Sequence, residues 1–216
     1  MSAAPAKLAA LRDLLATRFP AVSRGFSRSV ATGLPALDET AGGLPIGALT
    51  EVVCSAPSSG GYLLLSRLLE STRAQRLRLA LIDGSDTFDP QSFTTDQLAH
   101  LVWVRCPQAG AAVQAADLLA RDANLGLVVL DLRGAHADEL RRIPPTAWYK
   151  LQRAVEQNEL AFLIVTSRSL VPSALLRFSL DHSPSLSALD CPRAELADNL
   201  QPELQRQRRQ LEQEAV

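Results

Sequence analysis

The sequence predicts an α/β fold, a mainly parallel sheet covered by helices on both faces. Three observations carry this. Short, almost wholly apolar runs recur along the chain. Amphipathic stretches long enough to be helices separate them. A turn rich in serine and glycine, CSAPSSGG at 54–61, joins one apolar run to a leucine-rich one. Strands that are apolar on both sides belong inside a sheet buried on both faces, and parallel pairing needs crossover connections, usually helices.

The elements follow in order. Residues 5–19 read as a helix, with Leu8, Leu11, Leu15 and Phe19 along one side and Arg12 and Arg18 elsewhere, and Pro20 ends the pattern. Residues 20–33 read as a linker. A short helix over 36–41 precedes glycine and proline punctuation, and LTEVVC at 49–54 reads as a strand. A leucine-rich helix leads out of the turn. Strands are predicted at 77–83, 101–104, 125–132 and 160–167, and helices at 111–123 and 145–158, the latter with Pro145 suited to its first turn. Beyond about residue 180 the chain is polar. Leu196, Leu200 and Leu204 recur every fourth residue as a thin helical edge, which Pro202 splits. The organisation expected is therefore an N-terminal helix and linker (1–31), a core (32–180) and a tail (181–216) that is partly helical or disordered. Removing 196–216 is expected to leave the core folded.

With 216 residues, 47% of them hydrophobic and 21% charged, the chain is long enough for one sizeable core and too apolar for general disorder. A net charge of −1 supplies no global field toward nucleic acid, so any such contact would be local. The three cysteines, Cys54, Cys106 and Cys191, form no C-x-x-C pair, which argues against a disulfide framework or a zinc site. No apolar stretch reaches the length of a membrane span or resembles a secretory leader, so a cytoplasmic location is expected.

The turn at 54–61 stands where a phosphate-binding loop would stand. A working loop reads G-x-x-x-x-G-K-[ST]: backbone N–H groups cradle the phosphates, the lysine neutralises them, and the hydroxyl holds magnesium. Aligned on Gly60, this chain has Ser55 for the first glycine, Gly61 for the lysine and Tyr62 for the hydroxyl residue, with Ser58 and Ser59 inside the loop. Phosphate oxygens there would face amide dipoles alone. Neither a nucleotide cofactor nor a metal is expected. Asp83, Asp86 and Asp89 are spaced like turn and cap residues rather than a calcium loop. His100, His136 and His182 are isolated, and no nucleophile elbow occurs.

The stretch around this turn resembles a known core. Thr32, Gly33, Leu37 and Asp38 match a TG-x-x-x-LD element, and Gly42, Gly43, Leu44, Pro45 and Gly47 match the GGLP-x-G turn that precedes the strand and phosphate loop of RecA-type ATPases. LIDGSDTFDP (81–90), GLVVLDL (126–132) and AFLIVTSRS (161–169) resemble the later strands of that core, with Asp131 at the metal-facing end of its Walker B strand. Against that pattern, Ser85 replaces the glutamate that activates water and Ser167 replaces the glutamine that senses the γ-phosphate. The segment 167–180 leaves little room for a mobile DNA-binding loop. Short RecA-like chains of this kind resemble the ImuA family, accessory proteins of inducible mutagenesis, to which the shorter division inhibitor SulA is related.

That resemblance implies a pseudo-ATPase that acts as an adaptor in SOS-induced translesion synthesis. Its implied partners are an ImuB-like polymerase homologue, an error-prone replicative-type polymerase and RecA. Expected partner-binding residues are Leu8, Leu11, Leu15 and Phe19 in the N-terminal helix and Leu200, Leu204, Arg206, Arg208, Arg209 and Leu211 in the tail. Two alternatives are a SulA-like division inhibitor and a weak ATPase that borrows a cation such as Arg67 or Arg73.

Overall fold

The computed structural model describes residues 28–208, Pro57 and His182 excepted. The helix expected over 5–19, with Leu8, Leu11, Leu15 and Phe19, lies outside the described residues, as do Arg209 and Leu211. The chain forms β1 (Ser29–Val30), α1 (Pro35–Ala41), β2 (Leu44–Pro45), β3 (Ala48–Val53), α2 (Gly61–Ala74), β4 (Leu79–Asp83), α3 (Thr95–Leu98), β5 (Leu101–Arg105), α4 (Ala109–Leu119), β6 (Leu127–Asp131), α5 (Ala137–Arg142), α6 (Pro145–Gln157), β7 (Ala161–Thr166), β8 (Leu176–Ser179), α7 (Arg193–Asp198) and β9 (Glu203–Gln207). Seven strands make one sheet in the order β5-β4-β6-β7-β3-β8-β9. All its pairings are parallel except the last, between β8 and β9. No helix among the described residues is long and apolar enough to cross a membrane.

The expected α/β class is what this sheet is, and the reason lies in the strand residues. β3, β4, β6 and β7 are buried at every position. Their side chains feed two cores, one on each face. On one face Leu64, Leu65, Leu68 and Leu69 of α2 pack on Val52, Leu81, Val129 and Leu163. On the other, Ala109, Ala112 and Ala116 of α4 and Trp148, Leu151 and Val155 of α6 pack on Ile82, Val128, Leu130 and Phe162. α4 meets this core through a stripe of alanines and α6 through the larger Trp148. The split of the neighbouring aromatics is complete: Trp148 is buried and Tyr149 is 49% exposed.

The TG-x-x-x-LD element is a turn closed by one carboxylate. Asp38 accepts from the backbone N–H and hydroxyl of Thr32 at 2.9 and 2.8 Å and from the Gly33 N–H at 3.0 Å. This fixes the approach to β3, and with it the turn that follows β3.

The tail departs from expectation. Helix α7 is short and ends at Asp198, and the four-residue leucine spacing does not continue it. Leu200 is buried in the core beside Ala197, and Leu204 lies in a strand. Pro202 cannot donate the N–H that a continuing helix needs, and β8 would otherwise leave a row of unpaired edge groups, which β9 covers. Arg67 of α2 ties α7 down, donating to the Ala194 carbonyl at 2.9 Å and pairing with Asp198. Residues 196–216 therefore carry part of the core and an edge strand, and the expectation that they can be removed without loss of the fold is corrected.

The segment between β7 and β8 is pinned from three strands. Glu51 of β3, fully buried, accepts from the N–H groups of Leu170 and Val171 at 2.6 and 3.1 Å and from Arg177 Nε at 2.5 Å. Arg206 of β9 donates to the carbonyls of Pro172 and Ala174 at 3.2 and 2.8 Å. These bonds hold the connection within 167–180.

Candidate functional site

Parallel sheets place ligand sites beyond the carboxyl ends of their strands. In this chain the ends of β3 and β6 and the start of α2 converge there. The Cys54 N–H bonds the Thr166 carbonyl at 2.7 Å, which carries the chain out of β3. Ser58 and Gly60 take positive φ angles of 59° and 92°, so the chain turns tightly back into α2. Gly60 caps that helix without a side-chain bond, and the Gly60 carbonyl accepts the first α-helical bond, from Leu64 N at 2.9 Å. The N–H groups of the first turn of this 14-residue helix thus open toward the loop.

Beside this first turn, where a side chain at position 61 would start, lies Arg133, which follows β6. A Cβ placed on Gly61 would lie 1.8 Å from Arg133 Nη1, 2.7 Å from Cζ and 3.0 Å from Cδ. The guanidinium therefore occupies the place where a lysine side chain at 61 would begin. It is locked there by Asp131. Nε donates to Oδ1 at 2.9 Å and Nη2 donates to Oδ2 at 2.5 Å, while the Arg133 backbone N–H also reaches Oδ1 at 3.1 Å. The ring of Tyr62 covers the other side, 5.1 Å from the guanidinium carbon, and the Tyr62 hydroxyl donates to the Thr87 carbonyl. Asp131 and Arg133 side chains are only 8% and 18% exposed.

Electrostatics follow from this packing. A cation at the start of a helix opposes the helix dipole, and the Asp131 carboxylate beside it offsets that cost. Burial acts to lower the Arg133 pKa, but the hydrogen bonds and charge of Asp131 outweigh it and hold the pKa above the usual range. Burial pushes the Cys54 thiol up, against the opposing pull of Arg133. Both oxygens of the Asp131 carboxylate are engaged by the Arg133 guanidinium.

The loop is also closed from the tail. A Cβ on Gly60 would meet Leu200 Cδ2 at 2.3 Å, so the leucine expected to anchor a partner instead seals the turn. Cavities of about 440 Å³ and 280 Å³ open elsewhere, the first lined by Gln108, Glu139 and Arg142 and the second by Leu180, Cys191 and Leu200; neither is lined by Gly60, Gly61 or Arg133.

The structure thus brings Ser59, Gly60, Gly61, Tyr62 and Asp131 together around one point. Ser59 is buried beside Cys54. Ser55 turns away and bonds the Asp181 carboxylate, and Ser58 is exposed. The expectation that amide dipoles alone face the loop is corrected: a cation stands there, and it is Arg133. The suggested donors Arg67 and Arg73 are engaged elsewhere, with Asp198 and Asp96. Of the tail residues, Leu200 is core, Arg206 clamps carbonyls, Leu204 is 36% exposed and Arg208 is exposed. The Ser85 hydroxyl is buried without a hydrogen-bond partner.

The three aspartates at the end of β4 and in the loop that follows are turn formers, as their spacing suggests. Asp83 accepts from the N–H groups of Thr87 and Phe88 at 3.0 and 2.9 Å, Asp89 caps Gln91, and Asp86 pairs with Arg105. Among the described residues no group of three metal-ligating side chains is close enough to hold an ion. Searches against protein-family models and against curated proteins found no match for this chain.

Proposed function

We propose that the chain is a RecA-like protein without ATP turnover, an adaptor in damage-induced mutagenic DNA synthesis that works through contacts with an ImuB-like polymerase homologue, an error-prone replicative-type polymerase and RecA. One observation carries the loss of turnover. The Arg133–Asp131 pair fills the cradle at Gly61 and takes up the carboxylate that a metal would need. Binding a triphosphate with magnesium would require expelling a buried guanidinium and separating it from its counter-ion. What persists is the frame: a strand, a glycine turn, a helix, and a carboxylate two strands away at the same end of a parallel sheet. The sequence motifs at 32–47 support the RecA-like reading of that frame.

Affinity capture from DNA-damaged cells tests the role. The adaptor reading expects a polymerase homologue, an error-prone polymerase or RecA to be enriched over undamaged cells. Absence of all three, with filamentous growth on overexpression, would replace it with division inhibition.

A further inference from the structure

Among the described residues, the arginines where β8 meets the end of β9 outnumber the carboxylates set against them. Arg177, Arg206 and Arg208 lie close together on β8 and the end of β9, and Glu51 is the one carboxylate facing Arg206 among the described residues. Glu51 is already committed to Arg177 and to two backbone N–H groups. Arg206 spends Nη2 on loop carbonyls, while its Nε is buried with no hydrogen-bond partner. Arg208 is exposed, and its side chain has no partner among the described residues. Burial together with the neighbouring Arg177 and Arg208 charges pulls the Arg206 pKa down, the sign of a cluster short of anions. The same strand ends the sheet: no strand among the described residues pairs with its far edge. An unpaired edge offers backbone N–H and C=O groups to an extended polypeptide, which a nucleic acid cannot match.

We propose that the free edge of β9 is a docking surface for an extended acidic segment of a partner protein, which pairs with the β9 backbone and sets a carboxylate against Arg208, in the positive field of Arg206 and Arg177. Arginine suits this role because its planar fork binds carboxylates through two parallel hydrogen bonds. Cross-strand neighbours on one face stand close enough for such pairs. The surface gives the adaptor reading a point of contact and rests on it.

The test uses the full chain and a fluorescent peptide of alternating threonine and glutamate, with a threonine–lysine peptide and an oligothymidylate as comparisons. Saturable binding of the acidic peptide alone is expected, weakening with salt and slowing amide exchange at 203–207. Arg208→Glu should weaken it about tenfold or more, and Arg208→Lys only a few-fold. Arg208 is exposed, so neither change should disturb the fold, which circular dichroism checks. No binding of the acidic peptide, equal binding of the lysine peptide, indifference to Arg208→Glu, or preference for the oligonucleotide would each overturn the proposal. Peptide binding with no polymerase or RecA captured from cells would count against the adaptor reading and leave the surface standing.

Discussion

Replacing Gly61 by alanine separates two accounts of the loop by sign. Gly61 is the first residue of α2 and has no unusual φ angle. Helix propensity alone would make alanine stabilising there by about 0.5–1 kcal/mol. The packing says otherwise. The added methyl would sit 1.8 Å from Arg133 Nη1, and Cδ and Cζ, at 3.0 and 2.7 Å, leave no room for a small adjustment. Arg133 must leave Asp131, whose side chain is 8% exposed. Removing one partner of a buried pair costs about 3–5 kcal/mol. The lower end applies, because a released Arg133 can swing toward water. Less the helix gain, the net loss is about 2 kcal/mol, or about 4–8 °C in Tm for a chain of this size. In an Arg133→Ala background the clash is gone, so the same change should be neutral or stabilising, giving a coupling of about 2–3 kcal/mol in a double-mutant cycle. Thermal or urea denaturation of the four proteins reads this. A Gly61→Ala variant more stable than the parent, or strictly additive effects, would refute the plug.

Other outcomes follow from the tail, the thiols and one histidine. Ending the chain after Pro192 should abolish two-state unfolding, and Leu200→Ala alone should cost about 2–5 kcal/mol by urea denaturation. Cys54 and Cys106 are buried with raised pKa values, so a thiol reagent should label exposed Cys191 rapidly and the other two only on unfolding. Burial and nearby Arg73 hold the His100 pKa below its ordinary value, with Asp96 opposing, and Thr72 bonds Nε2 at 2.8 Å. The unfolded chain therefore binds the proton more readily than the folded one. Stability should be full above about pH 6.5 and fall as the pH drops below it. A urea midpoint flat between neutrality and about pH 5.5 would refute this.

Much of the fold was legible because burial on both faces writes itself into a strand. LALID, LVVLD and AFLIVT have no polar side to confuse the reading. β8 and β9 escaped for the opposite reason. β8 carries Arg177 inward, toward a buried Glu51 that lies more than a hundred residues away in sequence. β9 is a polar edge strand, ELQRQ, whose state depends on β8 offering it a partner. The leucine spacing at 196–204 fits a helix locally, and a tertiary demand overrode it.

At the site, the sequence located the turn, Gly60, Gly61, Tyr62 and Asp131, since those stand in fixed order around a strand and a helix. Arg133 was not legible. An arginine two residues past a strand end looks like any loop residue, and only the fold carries its guanidinium across to α2. The same holds for Leu200, whose contact with Gly60 spans most of the chain. Missing chemistry at a loop can be read from what is absent; what fills the space cannot.

The central claim is that internal groups already occupy the triphosphate place. Calorimetric titration of the full chain with magnesium–ATP measures this directly. The account expects heats indistinguishable from dilution; a saturating isotherm with a Kd in the micromolar range would contradict it.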